Sequence, residues 1–239
     1  MVIKLKGECC MNIALILSGG IGTRIGADIP KQYIEVNNQM IITYCLRTIC
    51  EHPMIDAVYV VAEEEWQASI MEDINKFGID GKKIGGFAQP GSNRQLSIYN
   101  GLKKIKENYN EDCAVLIHDA ARPLLSSQLI TSCINALAGH DGVLPVLPMK
   151  DTVYLSNDGS SVSQLLDRSH IYAGQAPEIF YLNKYLKANE RLLPEAILGI
   201  NGSTEPAVMA KMDVVMIPGD EKNVKITSRE DLEKFQRRI

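Results

Sequence analysis

The chain has 239 residues, a formal net charge of −4 and a charged fraction of 23%. This length is enough for one domain with a sizeable core. The charges are balanced and form no long basic run, so we expect no binding to nucleic acid or to a membrane. No apolar stretch reaches the roughly 18 residues that span a bilayer. The N-terminus lacks the apolar segment of a secretory signal, so we expect a cytoplasmic protein.

Met11 directly precedes the first strand-like pattern. We therefore expect residues 1–10 to form an N-terminal extension and residues 11–239 to form a single domain. Six cysteines include no Cys-x-x-Cys pair and accompany no histidine cluster, which argues against a zinc site. Four of them lie in apolar segments, where free cysteine is typically a small buried hydrophobe.

Short apolar runs alternate with amphipathic stretches along the chain. The apolar runs predict strands over Ile13–Leu17, Ala57–Ala62, Lys83–Phe87, Ala114–His118, Gly142–Leu147 and Asp213–Ile217. Helical spacing predicts helices over Ile41–His52, Glu64–Phe77, Ser92–Lys106, Ser127–Gly139, Leu182–Leu193 and Ser228–Arg238. Strands that alternate with helices are typical of βαβ units, so the sequence predicts an α/β fold with three layers and a mostly parallel sheet.

Residues 151–180 interrupt this alternation. Short β-type runs flank a polar NDGSS segment, and Asp158-Gly159 within it is a hairpin signal. Two hypotheses fit this pattern: a hairpin that projects from the core as a dimer arm, or an ordinary surface loop.

The stretch LSGGIGTRIGADIPKQY follows the first predicted strand. A dinucleotide fingerprint would need G-x-G-x-x-G, but Ile25 occupies the last position, and Pro30 prevents a continuous helix. The Walker pattern also fails, because the loop contains no Gly-Lys pair. The remaining hypothesis is a glycine loop that binds phosphate oxygens through its backbone, Arg24 and Lys31. The alternative is a mobile turn with two solvated cations.

Several blocks together identify a family. They are GGIGTRIGADIPKQY, SNRQLSIYNGL, VLIHDAARP, PVLPMKDTV, GQAPEIF and NVKITSREDL, spread over residues 13–235. In content and order they resemble the polyol-phosphate cytidylyltransferases. The resemblance implies a Rossmann-like three-layer nucleotidyltransferase fold with a protruding β-arm, a homodimer with exchanged arms, and a Mg²⁺ cofactor. It also implies a reaction in which CTP and a polyol phosphate give the CDP-polyol and pyrophosphate.

The resemblance assigns a role to each matching residue. The cations expected to act in catalysis are Arg24, Lys31 and Lys225. The residues expected to bind CTP are Ser18, Gly19, Gly20, Gly22, Gly91, Ser92, Arg94 and Ser97. The residues expected on the acceptor side are Arg122, Thr204 and Arg168, the last presented to the partner by the arm. Asp119 is the expected magnesium ligand.

Each assignment has a simpler alternative. Asp119 would then be a helix-capping aspartate, Lys225 an edge-strand lysine and Arg168 a plain surface residue. The phosphate chemistry favours the functional roles, because two anions that react need cations to hold them together and no side-chain nucleophile.

The acceptor half departs from the family pattern. Ala176 and Glu178 replace the usual threonine and glutamine, Pro90 replaces a glycine, and Lys222 stands where some relatives carry aspartate. The Lys222 replacement puts a second carboxylate ligand for the metal in doubt.

The sequence leaves the acceptor open. HDAARP and LLDR favour 2-C-methyl-D-erythritol 4-phosphate, our first interpretation. GGIGTR, Trp66 and the GQ pair favour ribitol 5-phosphate or a related polyol phosphate. Further alternatives are a nucleotide-sugar pyrophosphorylase, which would prefer UTP or dTTP, and a non-catalytic CTP-binding protein.

Overall fold

The computed structural model describes residues 11–20, 29–109 and 111–239. Its strands are β1 (Asn12–Leu17), β2 (Glu35–Val36), β3 (Gln39–Met40), β4 (Ala57–Val61), β5 (Ile84–Ala88), β6 (Ala114–Asp119), β7 (Gly142–Pro148), β8 (Val153–Leu155), β9 (Gln164–Leu166), β10 (Tyr172–Gly174), β11 (Glu178–Tyr181) and β12 (Val214–Pro218). Its helices are α1 (Ile41–Cys50), α2 (Glu64–Lys76), α3 (Arg94–Asn108), α4 (Ser127–Ala136), α5 (Leu182–Glu190), α6 (Glu205–Met209) and α7 (Arg229–Gln236).

Within the described residues, eight strands form one mostly parallel sheet. Strand β1 pairs in parallel with β4 and β6, and β4 pairs in parallel with β5. Strand β11 runs antiparallel to both β6 and β7, while β12 is parallel to β7. The α/β prediction is confirmed, and each predicted strand and helix is present with its ends shifted by at most a few residues.

Side chains of the sheet alternate between two apolar clusters. Along β1, Leu15 packs in one cluster with Ile98 of α3, whereas Ile16 packs in the other with Ile42 of α1. This alternation follows from the two-residue period of a strand. Helices therefore cover both faces of the sheet, which confirms the three-layer prediction. The four cysteines between residues 45 and 133 are buried, as expected for core residues.

The hairpin β8–β9 forms a separate two-stranded sheet. Its apolar side chains are unusually exposed: Tyr154 is 56% accessible and Leu165 60%. Within residues 151–180, the segment predicted as the arm, β8 and β9 form the hairpin, whereas β10 and β11 pair in the main sheet. Periodicity could not separate β11 from the arm, since its pairing with β6 joins residues that are distant in sequence.

None of the described helices is both long and apolar enough to cross a membrane.

Candidate active site

A cleft of about 470 Å³ opens where parallel strands β1, β5 and β6 end. Ligands of open parallel sheets bind at this edge, because the loops that follow the strands converge there. The cleft brings together most of the residues predicted from the sequence. Those lining it are Gly19, Gly20, Lys31, Gly91, Ser92, Arg94, Ser97, Asp119 and Lys225.

Asp119 is the electrostatic centre of this cleft. Its Oδ1 lies 3.0 Å from Nη2 of Arg94, and its Oδ2 lies 3.0 Å from Nζ of Lys225. The Nε atom of Arg122 lies 3.5 Å from the same Oδ2. Arg94 begins α3 and Lys225 lies in the loop after β12, so three distant parts of the chain meet at the end of β6. Three cations against one carboxylate leave the cluster with an excess of positive charge.

Asp119 is ionised in this setting. Its side chain is only 9% accessible, and burial by itself would raise the pKa of the carboxyl group. Arg94, Lys225 and Arg122 outweigh that effect and hold the pKa of Asp119 well below its usual range. An ionised carboxylate of this kind suits a hard cation such as Mg²⁺, which commonly takes one or two carboxylates and completes its shell with phosphate oxygens and water. No cluster of three His, Cys, Asp or Glu side chains that could cage a metal occurs in the described part of the chain.

The start of α3 forms another wall of the cleft. Asn93 caps this helix by accepting a hydrogen bond from the Leu96 amide at 2.8 Å. The side-chain nitrogen Nδ2 of Asn93 donates to the carbonyls of Ile197 and Leu198. The Ser97 hydroxyl accepts from the Gly91 N–H at 3.0 Å, which ties the loop after β5 to the helix. Arg94 is thereby held on a capped, anchored helix end.

A buried polar network lies behind Arg94. Gln95 donates to the Tyr185 hydroxyl, which donates in turn to the Ser203 carbonyl. The Ser203 hydroxyl donates to Glu178. Burial raises the pKa of Glu178, while Arg94 acts in the opposite direction. The glutamate that departs from the family pattern is therefore a buried partner of the segment that leads into Thr204.

Gly19, in the loop after β1, lies against Pro90. A Cβ atom on Gly19 would come within 2.5 Å of Pro90 Cβ, so the loops after β1 and β5 touch at this point. The Ser18 hydroxyl donates to the Tyr33 hydroxyl at 2.9 Å. Tyr33 in turn stacks on Trp66 of α2, with ring centroids 4.2 Å apart. Trp66 is thus a packing residue that supports the PKQY segment.

Some predicted site residues do not line the cleft. Arg122 contacts Asp119 from the side and also donates to the Asn223 carbonyl at 2.7 Å. Ser18 directs its hydroxyl to Tyr33. Thr204 precedes α6, and its buried hydroxyl oxygen has no hydrogen-bond partner among the described residues. Arg168 lies beside the hairpin and donates to the Lys150 carbonyl. The positions of Gly22 and Arg24 fall outside the described residues, and the roles of all these residues stay predictions.

Sequence reasoning missed three polar residues that line the cleft: Gln32, Glu63 and Asn93. Gln32 belongs to the PKQY block but carries no charge, and phosphate-binding side chains were predicted from their positive charge. Asn93 had a readable signal, because an asparagine just before a helical pattern is a typical N-cap. Glu63 had no signal, since its approach to the cleft depends on the pairing of β4 with β1.

Comparisons with family models, curated proteins and solved structures all point to the same family. A sequence model described as "IspD: 2-C-methyl-D-erythritol 4-phosphate cytidylyltransferase" matches residues 12–237. A ribitol-5-phosphate cytidylyltransferase of Vibrio parahaemolyticus is 35% identical, with 91% of each chain covered. A 2-C-methyl-D-erythritol 4-phosphate cytidylyltransferase of Rubrobacter xylanophilus is 37% identical, with 92% of this chain and 91% of the relative covered.

A solved structure extends this result to the fold. The 4-diphosphocytidyl-2C-methyl-D-erythritol synthase of Anaerococcus prevotii superimposes with a TM-score of 0.81 at 26% identity, and 95% of each chain is covered. The resemblance read from the sequence blocks is therefore confirmed. The chain belongs to the IspD family of polyol-phosphate cytidylyltransferases, which are nucleotidyltransferases.

Proposed function

We propose that the cleft joins CMP from CTP to a polyol phosphate, with 2-C-methyl-D-erythritol 4-phosphate as the first candidate acceptor. The observation that carries the proposal is the Asp119 cluster, where three cations surround one buried carboxylate. Lys31 adds a fourth cation at the cleft wall. An excess of positive charge at the carboxyl edge of a parallel sheet suits a triphosphate that meets a second phosphate.

The proposed reaction is an in-line displacement at phosphorus. An oxygen of the acceptor phosphate forms a bond to the α-phosphorus of CTP, the bond from that phosphorus to the bridging oxygen breaks, and pyrophosphate leaves. The acceptor oxygen is already ionised at neutral pH, so no side chain has to remove a proton. Lys31 and Lys225 hold the anions together and stabilise the charge that develops in the transition state. Arg24 is proposed to assist them, and Arg94 to bind CTP. The amides of Gly19 and Gly20 complete the nucleotide site, and Gly91 forms part of its wall.

Asp119 is the proposed ligand of Mg²⁺. Its carboxylate is ionised and lies in the cleft, so it is available to a cation once the nucleotide brings phosphate oxygens. When bound, magnesium would neutralise phosphate charge and orient the triphosphate. Within the chain, Asp119 also orients Arg94 and Lys225 toward the same region, and Arg122 maintains the carboxylate in that position.

Ribitol 5-phosphate is the second candidate acceptor, because two features that favour it contact segments that border the cleft. Trp66 supports Tyr33, and Gln175 of the GQ pair donates to the carbonyls of Asp220 and Asn223, in the loop that carries Lys225. Support for the first candidate comes from the family description and the 37% identical relative. The 35% identical relative supports the second.

We further propose a homodimer formed through the β8–β9 hairpin. Exposed Tyr154, Val162 and Leu165 give the hairpin an apolar surface that a second copy of the chain would cover. In such a dimer, Arg168 at the base of the hairpin would reach the acceptor side of the partner's cleft, where Arg122 and Thr204 complete the acceptor site.

Pyrophosphate release tests the function directly. The full-length protein is incubated with CTP and magnesium, and with either 2-C-methyl-D-erythritol 4-phosphate or ribitol 5-phosphate. Faster turnover with one acceptor identifies it as the substrate, and replacing CTP by UTP should abolish turnover. Bound CTP without turnover on either acceptor would contradict both candidates, and faster turnover with UTP would favour a nucleotide-sugar pyrophosphorylase.

A further inference from the structure

Gln32 joins the PKQY segment to the glycines that follow β1. Its Nε2 atom donates to the Ser18 carbonyl at 2.6 Å and to the Gly20 carbonyl at 2.8 Å. The side chain is nearly inaccessible, at 3%, although the residue borders the cleft. One amide group therefore uses both of its hydrogens on two carbonyls of a three-residue stretch.

These contacts engage backbone carbonyls and leave the backbone N–H groups of the same stretch available. The hydrogen bonds of the described residues include none donated by the N–H groups of Gly19 and Gly20. A Cβ built on Gly20 would meet no atom within 4 Å, so this side of Gly20 faces open space. Backbone N–H groups without a protein partner are natural ligands of phosphate oxygens, provided that the neighbouring carbonyls do not face the same anion.

We propose that Gln32 is a positioning residue for the triphosphate, because it binds the carbonyls of Ser18 and Gly20 and leaves the Gly19 and Gly20 N–H groups for phosphate oxygens. The proposal rests on the proposed use of CTP at this cleft. Gln32 itself is not expected to touch the nucleotide, since both amide hydrogens are already engaged. Lys31, the preceding residue, lies on the cleft wall, so one short segment would supply both a charge and the support of the backbone.

Tyr33 offers a matched comparison. Its hydroxyl donates to the Ser18 carbonyl at 2.9 Å, so this carbonyl has two donors. The bond to the Gly20 carbonyl is made by Gln32 alone among the described residues. Removing the Tyr33 hydroxyl should therefore disturb the start of the stretch and leave the Gly20 contact intact.

The experiment measures binding of CTP and of inorganic triphosphate by calorimetry for the wild type, Gln32→Met, Gln32→Glu and Tyr33→Phe. Met keeps the size of the side chain and removes both donors, whereas Glu keeps the shape and faces the two carbonyls with acceptors only. We expect Gln32→Met to raise the Kd of both ligands by about tenfold or more, Gln32→Glu to raise it further, and Tyr33→Phe to change it by less than about threefold. The KM for the polyol phosphate should stay within about threefold of the wild-type value in Gln32→Met.

Three results would overturn the inference. Unchanged Kd values in a folded Gln32 variant would show that the amide serves packing only, and a loss with CTP but not with inorganic triphosphate would place its effect on the base. A Tyr33→Phe variant that loses as much affinity as Gln32→Met would leave no special role for the Gly20 contact. Failure of the wild type to bind CTP would instead refute the proposed function. If Gln32→Met does not fold, Gln32→Glu decides by the same criteria.

Discussion

The ammonium group of Lys225 lies 3.0 Å from Oδ2 of Asp119, so the loop after β12 is fixed to the end of β6. Asn223, two residues earlier, is fully buried, and its carbonyl accepts from both Arg122 and Gln175. A loop without regular secondary structure thus holds a cation in a defined place. The ion pair explains how a residue near the C-terminus becomes part of a cleft built on the first half of the chain.

Lys225 should matter for turnover more than for folding. We expect Lys225→Met to lower kcat by about 100- to 1000-fold, the usual effect of removing a group that stabilises transition-state charge. Asp119 keeps Arg94 and Arg122 as partners, so unfolding in urea should change little. Pyrophosphate release measures the loss. Lys222→Met on the same loop is the control, and an equal fall in that variant would refute a specific role for Lys225.

A similar prediction applies to Lys31, at the opposite wall of the cleft. Lys31→Ala should reduce kcat by about two orders of magnitude or more, because the lysine is proposed to act on the reacting phosphates. Its free energy of unfolding should remain within about 1 kcal/mol of the wild-type value. Lys104→Ala, which removes an exposed cation on α3, should keep full activity. Parallel losses of stability and activity in Lys31→Ala would contradict the catalytic role.

The proposed dimer predicts complementation between two inactive variants. The Arg168→Ala dimer should be inactive because each cleft lacks the partner's arginine. The Lys225→Met dimer should be inactive because each cleft lacks its own lysine. In a mixed dimer, the cleft that retains Lys225 also receives an intact Arg168. Random mixing should then restore about a quarter of wild-type activity, since half of the dimers are mixed and each has one complete site. The measurement is pyrophosphate release after the two variants are unfolded and refolded together, and no recovery would refute the shared site.

Replacing Gly142 by a residue with a side chain should destabilise the fold for steric reasons. A Cβ atom at this position would lie 2.6 Å from Cε1 of Phe180, whose ring stacks on Tyr185 in the core. Gly142→Ala should therefore destabilise the fold by about 1–3 kcal/mol. Gly199→Ala is the control, because its Cβ would meet no atom within 4 Å. Urea unfolding compares the two, and equal stabilities would mean that the Phe180 ring moves aside without penalty.

Acid should weaken the anchoring of α7. Hydrogen bonds from the Thr227 and Ser228 backbones lower the pKa of Asp231 to about 2. The ionised carboxylate thus contributes stability above the usual aspartate pKa of about 3.9, and the contribution is lost as the pH falls toward 2. Asp231→Asn should cost about 1 kcal/mol at pH 6, and the gap to the wild type should narrow below pH 4. Urea midpoints from pH 6 to pH 3 test this, and a gap that does not change with pH would contradict it.

The strands and helices that could be predicted have strong local patterns. IALIL and AVLIH are continuous apolar runs, and both proved to be central strands. Strand β11 could not be predicted, because its place between β6 and β7 depends on contacts across more than 30 residues. The hairpin of β2 and β3 had a local signal that was missed: Asn37 and Asn38 both adopt positive φ, as asparagine does readily in tight turns.

At the site, too, residues with a local sequence signal could be predicted, whereas contacts between distant segments could not. Lys31, Asp119 and Lys225 were predicted because charged residues in family blocks point to phosphate chemistry. The bonds from Arg94 and Arg122 to Asp119 were not, since they depend on the relative placement of a helix end and a strand end. Gln32 illustrates the limit most clearly: an uncharged side chain acquires a role only through the backbone that it contacts.

The contact between Gly19 and Pro90 links two positions that are far apart in sequence. The proline ring occupies the space that any side chain at position 19 would need, so position 19 cannot gain a side chain while the proline is present without disturbing the mouth of the cleft. Substitution histories at the two positions should therefore be correlated: a lineage that gains an alanine at position 19 should first have replaced the proline by a smaller residue. The order of these steps would be fixed by steric exclusion rather than by chemistry.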